Sequence, residues 1–114
     1  MGFLSRLFRV KGYTTINGSQ LEDMLNNINI LILDVRSFEE YKDGHIPNAK
    51  NIPIDKLLSK LSSLSSYKDS EIVIYCASGV RSAKASDILY KNGFNKIYNL
   101  SRGVQSYKGK LVKI

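Results

Sequence analysis

The chain is poor in the residues that cross-link small domains. Its 114 residues include one cysteine, Cys76, and one histidine, His45. A single cysteine cannot form an internal disulfide, and one cysteine with one histidine cannot supply the four ligands of a structural zinc ion. The composition therefore excludes a disulfide scaffold and a zinc ribbon, and we expect neither a metal nor a cofactor.

Long apolar stretches are also lacking. No run approaches the roughly 20 residues that cross a bilayer, and the segment Met1–Lys11 has too short an apolar stretch for a signal peptide and no small-residue cleavage site. We expect a cytoplasmic protein without a membrane span. Residues 1–12 are interpreted as an appendage that packs locally, with docking to a membrane interface or a partner as the alternative, and residues 13–114 as one domain.

Acidic residues are few relative to basic ones. The chain has 17 Lys and Arg against 10 Asp and Glu, which gives a net charge of +7. Such a balance favours anionic partners. The lysines are scattered and are not interleaved with aromatic residues as on a nucleic-acid platform. We therefore expect small anionic substrates, and nucleic acid is an unlikely partner.

Against these absences stands a regular alternation of apolar runs and helical patterns. The unbroken runs Ile30–Leu33 and Ile72–Tyr75 are typical of parallel strands buried on both faces. Weaker strands are predicted at residues 13–16, 49–52 and 96–100. Helices are predicted from four patterns: capping boxes at Ser19–Glu22 and Ser37–Glu40, a leucine stripe over residues 57–64, and the apolar positions Ala85, Ile88 and Leu89.

This alternation predicts a single α/β domain with a mainly parallel sheet. In such sheets, ligands bind beyond the carboxyl ends of the strands. Asp34 and Cys76 each follow one of the two strong apolar runs. We therefore expect both side chains at the same edge of the sheet.

The segment from Cys76 to Ser82 joins a buried strand to a helix. A turn there points backbone N–H groups inward as an anion-binding nest, and the helix N-terminus adds the positive end of its dipole. Gly79 permits a left-handed or closely approaching backbone, and Arg81 adds a permanent charge. Because these groups stabilise a thiolate and an anionic adduct on it, Cys76 is predicted to be a nucleophile and not an inert buried thiol.

Three motifs in order along the chain resemble the signatures of the rhodanese family. They are Leu33-Asp-Val-Arg-Ser-Phe-Glu-Glu-Tyr-Lys-Asp-Gly-His-Ile-Pro-Asn-Ala49, the loop Cys76-Ala-Ser-Gly-Val-Arg81, and the downstream pair Asn92-Gly-Phe94 and Leu100-Ser-Arg-Gly-Val-Gln-Ser-Tyr107. The resemblance spans residues 13–109. It implies a rhodanese-type domain with a five-stranded parallel sheet flanked by helices on both faces.

The resemblance also implies a ping-pong sulfur transfer. Cys76 would take the outer sulfur of a donor such as thiosulfate, release sulfite, and pass the sulfur from its persulfide to a thiol, cyanide or a protein acceptor. The persulfide would lie in a cradle formed by residues 77–82, that is Ala77, Ser78, Gly79, Val80, Arg81 and Ser82.

Three polar side chains of this loop carry specific expectations. Arg81 is predicted to bind the anionic donor, with a surface carboxylate as the alternative partner. Ser82 either donates its hydroxyl hydrogen to sulfur or sulfite or caps the helix. For Ser78, a sulfur contact and a free side chain are equally open.

The remaining residues of interest are expected to support the fold. Asp34 and Arg36 should tie strand ends and loops together through charge-assisted hydrogen bonds. His45, in the turn before Pro47, should satisfy backbone groups, and its use as the base for Cys76 is the alternative.

The chain departs from the family pattern at three places. Arg102-Gly103 stands where two glycines are common, Tyr107 where tryptophan is common, and Asn48 where glycine is usual. Asparagine tolerates a left-handed turn, whereas Arg102 could narrow the entrance or add an anion contact. These departures concern the acceptor preference more than the nucleophile.

Two other functions compete with sulfur transfer. Related phosphatase loops read Cys-x5-Arg, but here the interval is Cys-x4-Arg, and Tyr75 stands where tyrosine phosphatases usually have histidine. The shorter loop favours a smaller adduct. The second rival is a thiol redox sensor or a non-catalytic sulfur-carrier module, which would need an external thiol because the chain has no second cysteine. We expect a monomer or a weak homodimer.

Overall fold

The computed structural model describes residues 12–27 and 29–114. Its centre is one five-stranded sheet in the order β1-β5-β4-β2-β3, and every neighbouring pair is parallel. The strands are β1 (Thr14–Ile16), β2 (Leu31–Asp34), β3 (Lys50–Asn51), β4 (Ile72–Tyr75) and β5 (Ile97–Leu100). The predicted α/β domain with a five-stranded parallel sheet is confirmed. The proposed appendage, apart from Gly12, lies outside the described residues.

Helices cover both faces of the sheet. The α-helices are α1 (Gly18–Met24), α2 (Phe38–Asp43) and α3 (Val80–Lys91), and 3-10 helices span Ile54–Lys56, Leu58–Tyr67 and Gly103–Ser106. In the described part of the chain, no helix is long and apolar enough to cross a membrane.

Alternate side chains of the central strands enter two separate cores. On one face, Leu33, Ile74 and Ile97 pack with side chains from α3, from the 3-10 segments and from the residues next to them: Leu57, Leu64, Ala85, Leu89 and Phe94. On the other, Ile32, Val73 and Tyr75 pack with Leu21, Ile46 and Ala49. Because both faces are covered, the strands are apolar at consecutive positions, as the unbroken runs predicted.

The predicted N-terminus of α1 was wrong by two residues. The capping box is formed by Asn17 and Gln20, not by Ser19 and Glu22: Asn17 Oδ1 accepts from Gln20 N at 2.9 Å, and Gln20 Oε1 accepts from Asn17 N at 2.8 Å. Gly18, the first residue of α1, packs so closely on the chain that a β-carbon there would lie 1.9 Å from the Ser106 carbonyl oxygen. The second predicted box, Ser37 with Glu40, is confirmed at α2.

The leucine stripe over residues 57–64 forms a 3-10 helix and not an α-helix. Within Leu58–Tyr67, the side chains that pack on the core are Leu61, Leu64 and Tyr67, which are three residues apart. This spacing matches the three residues per turn of a 3-10 helix. The Ser59 and Ser63 hydroxyls donate to carbonyl oxygens three residues earlier, at 2.9 and 2.6 Å, a local bond typical of serine in irregular helices.

The strand order decides where the polar residues meet. β2 ends at Asp34, Cys76 follows β4, and β5 ends at Leu100. Because β2, β4 and β5 are parallel neighbours in the sheet, their carboxyl ends lie side by side. The edge expected to carry the chemistry is therefore formed by these three strand ends.

Candidate active site

Cys76 occupies the turn between β4 and α3. The helix begins at Val80, and its N-cap is Gly79, with φ 104° and ψ −11°. This left-handed conformation suits glycine, and a β-carbon would also lie 3.4 Å from the Arg102 backbone nitrogen. Gly79 therefore lets the chain turn sharply enough to bring the start of α3 back over the cysteine.

The Cys76 sulfur is fully buried and faces hydrogen-bond donors. Gly79 N–H donates to Sγ at 3.0 Å and Ser82 N–H at 3.4 Å, while Ser82 Oγ lies 3.4 Å away. Burial opposes ionisation of the thiol, but hydrogen bonds from the Ser82 hydroxyl and from the backbone of Ser82, Gly79 and Ser78 outweigh it and lower the pKa of Cys76. The nest predicted from the sequence is present, and it favours a thiolate.

Ser82 is not the helix cap, one of the two roles considered for it. It is the third residue of α3, and its Oγ lies between the Cys76 sulfur, the Gly79 carbonyl oxygen at 3.2 Å and Asn99 Oδ1 at 2.5 Å. Asn99 is buried on β5 and was missed by the sequence analysis. The available signal was a single amide within the otherwise apolar run of that strand.

Arg81 pairs with a carboxylate, the alternative partner that the sequence left open for it, and binding of the anionic donor stays a prediction. Its guanidinium donates to Glu40 from Nη1 at 2.8 Å and from Nη2 at 3.0 Å. The hydrogen bonds from Arg81 lower the pKa of Glu40 to about 2. The pair is more than a third exposed, at 38% and 36%. Glu40 is the second residue that sequence reasoning missed at this site.

The other loop residues contribute backbone more than side chains. The Ser78 N–H faces the sulfur, as noted above, and the Ser78 side chain is exposed. Ala77 is half-buried, whereas Val80 is 74% exposed at the start of α3. The cradle is thus a backbone feature, in which the side chains of Ala77 and Val80 have no polar part.

Asp34 and Arg36 form a buried ion pair beside the loop. Arg36 Nη2 lies 2.8 Å from Asp34 Oδ2 and also donates to the Gly44 carbonyl at 2.7 Å. The guanidinium lies 5.5 Å from the centre of the Tyr75 ring, at a distance suited to a cation–π contact. These contacts join the end of β2 to the loop after α2, the role that we expect for both residues.

His45 contacts backbone and a tyrosine ring. Its Nδ1 lies 2.8 Å from the Tyr41 carbonyl oxygen, and its ring stacks on the Tyr41 ring at 3.7 Å. Its backbone pairs with Val112 in both directions at 2.9 Å. These are the contacts of a residue that supports the fold, and they hold the C-terminal segment against the turn after α2.

The segment after β5 packs on the backbone of the cysteine loop. Val104 N–H donates to the Cys76 carbonyl oxygen at 2.8 Å. Gly103, at φ 63°, packs so closely that a β-carbon would lie 2.2 Å from that oxygen. Arg102 has the same left-handed conformation, with φ 64°, and so does Asn48, with φ 70°. The tolerance expected of Asn48 is thus realised, whereas Arg102 holds a strained backbone beside the loop.

Two further features bound the chemistry of the site. In residues 12–27 and 29–114, no group of three or more His, Cys, Asp or Glu side chains is placed to hold a metal ion.

A cleft of about 280 Å³ lies next to Arg81, with Phe38, Pro53 and Ile54 among its lining residues. This cleft adjoins the Arg81–Glu40 pair and opens beside the start of α3.

Comparisons with known proteins agree with this geometry. The family model for the rhodanese-like domain matches residues 17–110. A rhodanese-like domain protein of Staphylococcus aureus is 36% identical, with a TM-score of 0.77 over 88% of this chain and 97% of that one. The human single-domain sulfurtransferase is 26% identical, with a TM-score of 0.71 over 81% of this chain and 92% of that one.

A longer relative matches as well. The tRNA uridine(34) hydroxylase of Escherichia coli O1:K1 is 35% identical over 99 residues, which are 83% of this chain but 28% of that protein. The chain therefore spans little more than a quarter of that relative. Because the family model covers most of the chain, the chain belongs to the rhodanese-like domain family.

Proposed function

We propose that this chain is a sulfurtransferase that carries a sulfane sulfur on Cys76. The observation that carries the proposal is the ring of donors around the sulfur, with Gly79 N–H at 3.0 Å and Ser82 N–H at 3.4 Å. These donors stabilise a thiolate before reaction and the negative terminal sulfur of a persulfide after it. A buried structural thiol has no need of such donors.

The proposed reaction has two balanced halves. The Cys76 thiolate attacks the outer sulfur of thiosulfate, an S–S bond forms to Cys76, and the S–S bond of thiosulfate breaks so that sulfite leaves with the electron pair. In the second half, cyanide or a thiolate attacks the terminal sulfur, and the Cys76 thiolate leaves. Neither half needs a general base once the thiolate is formed, which is consistent with the structural contacts of Asp34 and His45.

The relatives support the sulfur-transfer chemistry but not one particular pathway. The human neighbour is a sulfurtransferase of similar length. The tRNA hydroxylase relatives are several times longer, and this chain matches 28% of one of them. The described residues therefore give no ground for proposing hydroxylation. We therefore propose a thiosulfate or persulfide donor and a thiol, cyanide or protein acceptor, in a monomeric or weakly dimeric cytoplasmic protein.

The structure bears on both rival functions. A phosphatase needs an arginine that clamps the phosphate, and Arg81 is instead held by Glu40 through two hydrogen bonds. The Cys76 side chain is buried, and both oxidation and attack on thiosulfate need a reagent to reach its sulfur, so burial does not separate a redox sensor from a sulfurtransferase. A sensor would in addition need an external thiol to restore it, because Cys76 is the one cysteine of the sequence.

The test is a mass measurement on the reduced protein after incubation with thiosulfate. We expect a gain of one sulfur, about 32 Da, that cyanide or dithiothreitol removes. Cys76→Ser is the matched control, because it keeps the size of the side chain and should gain no mass. A folded wild-type protein that gains no sulfur from thiosulfate or from an organic persulfide would overturn the proposal.

A further inference from the structure

The Ser82 hydroxyl beneath the cysteine has more acceptors than it can serve. It carries one hydrogen, yet three acceptors surround Oγ: the Cys76 sulfur at 3.4 Å, the Gly79 carbonyl oxygen at 3.2 Å and Asn99 Oδ1 at 2.5 Å. The side chains of Cys76, Ser82 and Asn99 are buried, at 6% exposure or less. Where this hydrogen points therefore decides whether the sulfur receives a hydroxyl donor.

The thiol and the thiolate of Cys76 favour opposite directions of the Ser82 hydroxyl hydrogen. In the thiol, S–H donates to Ser82 Oγ, and the Ser82 hydrogen continues to the short contact with Asn99 Oδ1. In the thiolate, the sulfur can only accept, and Ser82 adds a hydroxyl donor to the two backbone N–H groups by turning its hydrogen toward sulfur. Its hydrogen bond to Asn99 Oδ1 is then broken. The lone pairs of Ser82 Oγ and Asn99 Oδ1 would be left facing each other across 2.5 Å.

An amide resolves this conflict because it has an acceptor and a donor on one rotatable group. Half a turn about the last side-chain bond of Asn99 replaces Oδ1 by Nδ2, which donates to Ser82 Oγ. We propose that Asn99 is a positioning residue for the sulfur-transfer reaction: its amide accepts the Ser82 hydrogen in the thiol state and turns over when Cys76 loses its proton, so that Ser82 donates to sulfur.

Geometry on the strand supports this assignment. Asn99 lies on β5 and pairs with Ile74 of β4, which is two residues before Cys76. Asn99 is also two residues from Ile97, so its side chain lies on the same face of the sheet as Ile97, the face that α3 covers. An amide in this buried position costs free energy unless it is hydrogen-bonded. Asn99 Oδ1 accepts the hydrogen bond from Ser82 Oγ, so the amide oxygen serves the hydroxyl that contacts the sulfur.

Charged groups near the sulfur do not take this role. On the elements packed around Cys76 they are Arg81 on α3 with its partner Glu40, the Asp34–Arg36 pair after β2, and Arg102 after β5. Each differs from Asn99 in that it does not contact Ser82 Oγ. None is altered in the variants below, so differences among those variants report on Asn99 and Ser82.

The inference rests on the proposed role of Cys76 as a nucleophile, but its test does not need sulfur transfer. The rate of Cys76 alkylation by iodoacetamide is measured from pH 5 to pH 9 for the wild type, Asn99→Asp, Asn99→Leu, Ser82→Ala, and Ser82→Ala combined with Asn99→Asp. Thiosulfate loading of the wild type, read by mass, is measured separately. A wild type that is alkylated at low pH but not loaded refutes the function, not the role of Asn99.

Aspartate has nearly the shape of asparagine but only accepts, so it should hold the Ser82 hydrogen away from sulfur. We expect Asn99→Asp to lower the alkylation rate at pH 7 by at least tenfold, because a hydrogen bond to a charged group is lost. Leucine removes the competing acceptor, and Asn99→Leu should therefore shift the profile much less than Asn99→Asp. A merely structural role predicts the reverse order, since leucine alters the polar contact more.

The double variant separates the hydrogen bond from the charge. Without the Ser82 hydroxyl, the aspartate acts on the thiolate only through its charge. We expect Asn99→Asp to slow alkylation about tenfold more when Ser82 is present than in the Ser82→Ala background. Equal effects in the two backgrounds, or a larger effect of leucine than of aspartate, would overturn the proposal. If Asn99→Leu does not fold, the effect of Asn99→Asp in the wild type and in the Ser82→Ala variant is sufficient to test the proposal.

Discussion

A methyl group at Gly103 should disturb the fold and the cysteine loop together. Gly103 has φ 63°, and a β-carbon there would lie 2.2 Å from the Cys76 carbonyl oxygen and 2.6 Å from the carbonyl carbon and oxygen of Ala77. These neighbours are backbone atoms that cannot swing aside. Gly103→Ala must therefore displace either the loop or the segment after β5.

The magnitude follows from three costs and one offset. The left-handed conformation costs an alanine about 1–2 kcal/mol. The bond from Val104 N–H to the Cys76 carbonyl, 2.8 Å long, is lost or stretched at about 1 kcal/mol. Relieving the overlap adds about 1–3 kcal/mol, and the reduced freedom of the unfolded chain offsets up to about 1 kcal/mol. We expect a net loss of about 3 kcal/mol in the free energy of unfolding.

Urea denaturation of Gly103→Ala measures this loss, and thermal unfolding should show a midpoint lower by about 10–20 °C. Because the Cys76 and Ala77 carbonyls shift, the N–H donors should lose alignment with the sulfur, and the alkylation profile should move to higher pH. Arg102→Ala is the matched control, since position 102 has φ 64° and already carries a β-carbon; its unfolding free energy should change by about 0.5 kcal/mol or less. Equal stabilities of the two variants would refute the reasoning.

Three further changes test neighbouring contacts. Arg102→Gly removes a β-carbon from a left-handed position and should raise the free energy of unfolding by up to about 1 kcal/mol; a loss in urea denaturation would contradict this. Glu40→Gln should cost about 1 kcal/mol or less at pH 7, because the pair with Arg81 is partly exposed. Since the folded pKa of Glu40 is lowered to about 2 from 4.5, the advantage of the wild type should persist above pH 4.5 and vanish as the pH falls through 2; a difference that does not change with pH would argue against the ion pair. Asp34→Asn leaves the buried Arg36 charge unpaired and should cost about 3–5 kcal/mol, which thermal and urea unfolding both report; a loss under 1 kcal/mol would contradict that assignment.

The order of strands and helices was predictable because local patterns specify it. The run predicted as a strand at Ile72–Tyr75 has those bounds in the structure, and the run at 30–33 is displaced by one residue to Leu31–Asp34. Both runs are apolar at every position, which only a sheet covered on both faces requires. The start of α1 was misplaced because Ser19 and Glu22 have the capping pattern, while the pattern at Asn17 and Gln20 is the one used.

The type of the third helical segment was not predictable from its leucines. The predicted leucine stripe, at residues 57, 58, 61 and 64, includes the i, i+4, i+7 spacing of an α-helix. The core contacts of Leu61, Leu64 and Tyr67 instead have the three-residue spacing of a 3-10 helix. Similarly, the sequence did not identify which carboxylate pairs with Arg81. The sequence places Glu40 41 positions away, and only the packing of α2 beside α3 brings the two side chains together.

By itself, the sequence determined the parallel sheet, the strand-end position of Cys76 and the nest of backbone N–H groups around it, because apolar runs, a glycine and a helix start are local signals. Tertiary structure alone decided which side chains surround the sulfur. Asn99 reaches Ser82 because β5 lies beside β4, and Gly103 touches the Cys76 carbonyl because the chain turns back after β5. These contacts join residues far apart in the chain, and their geometry depends on strand order, which no local pattern encodes.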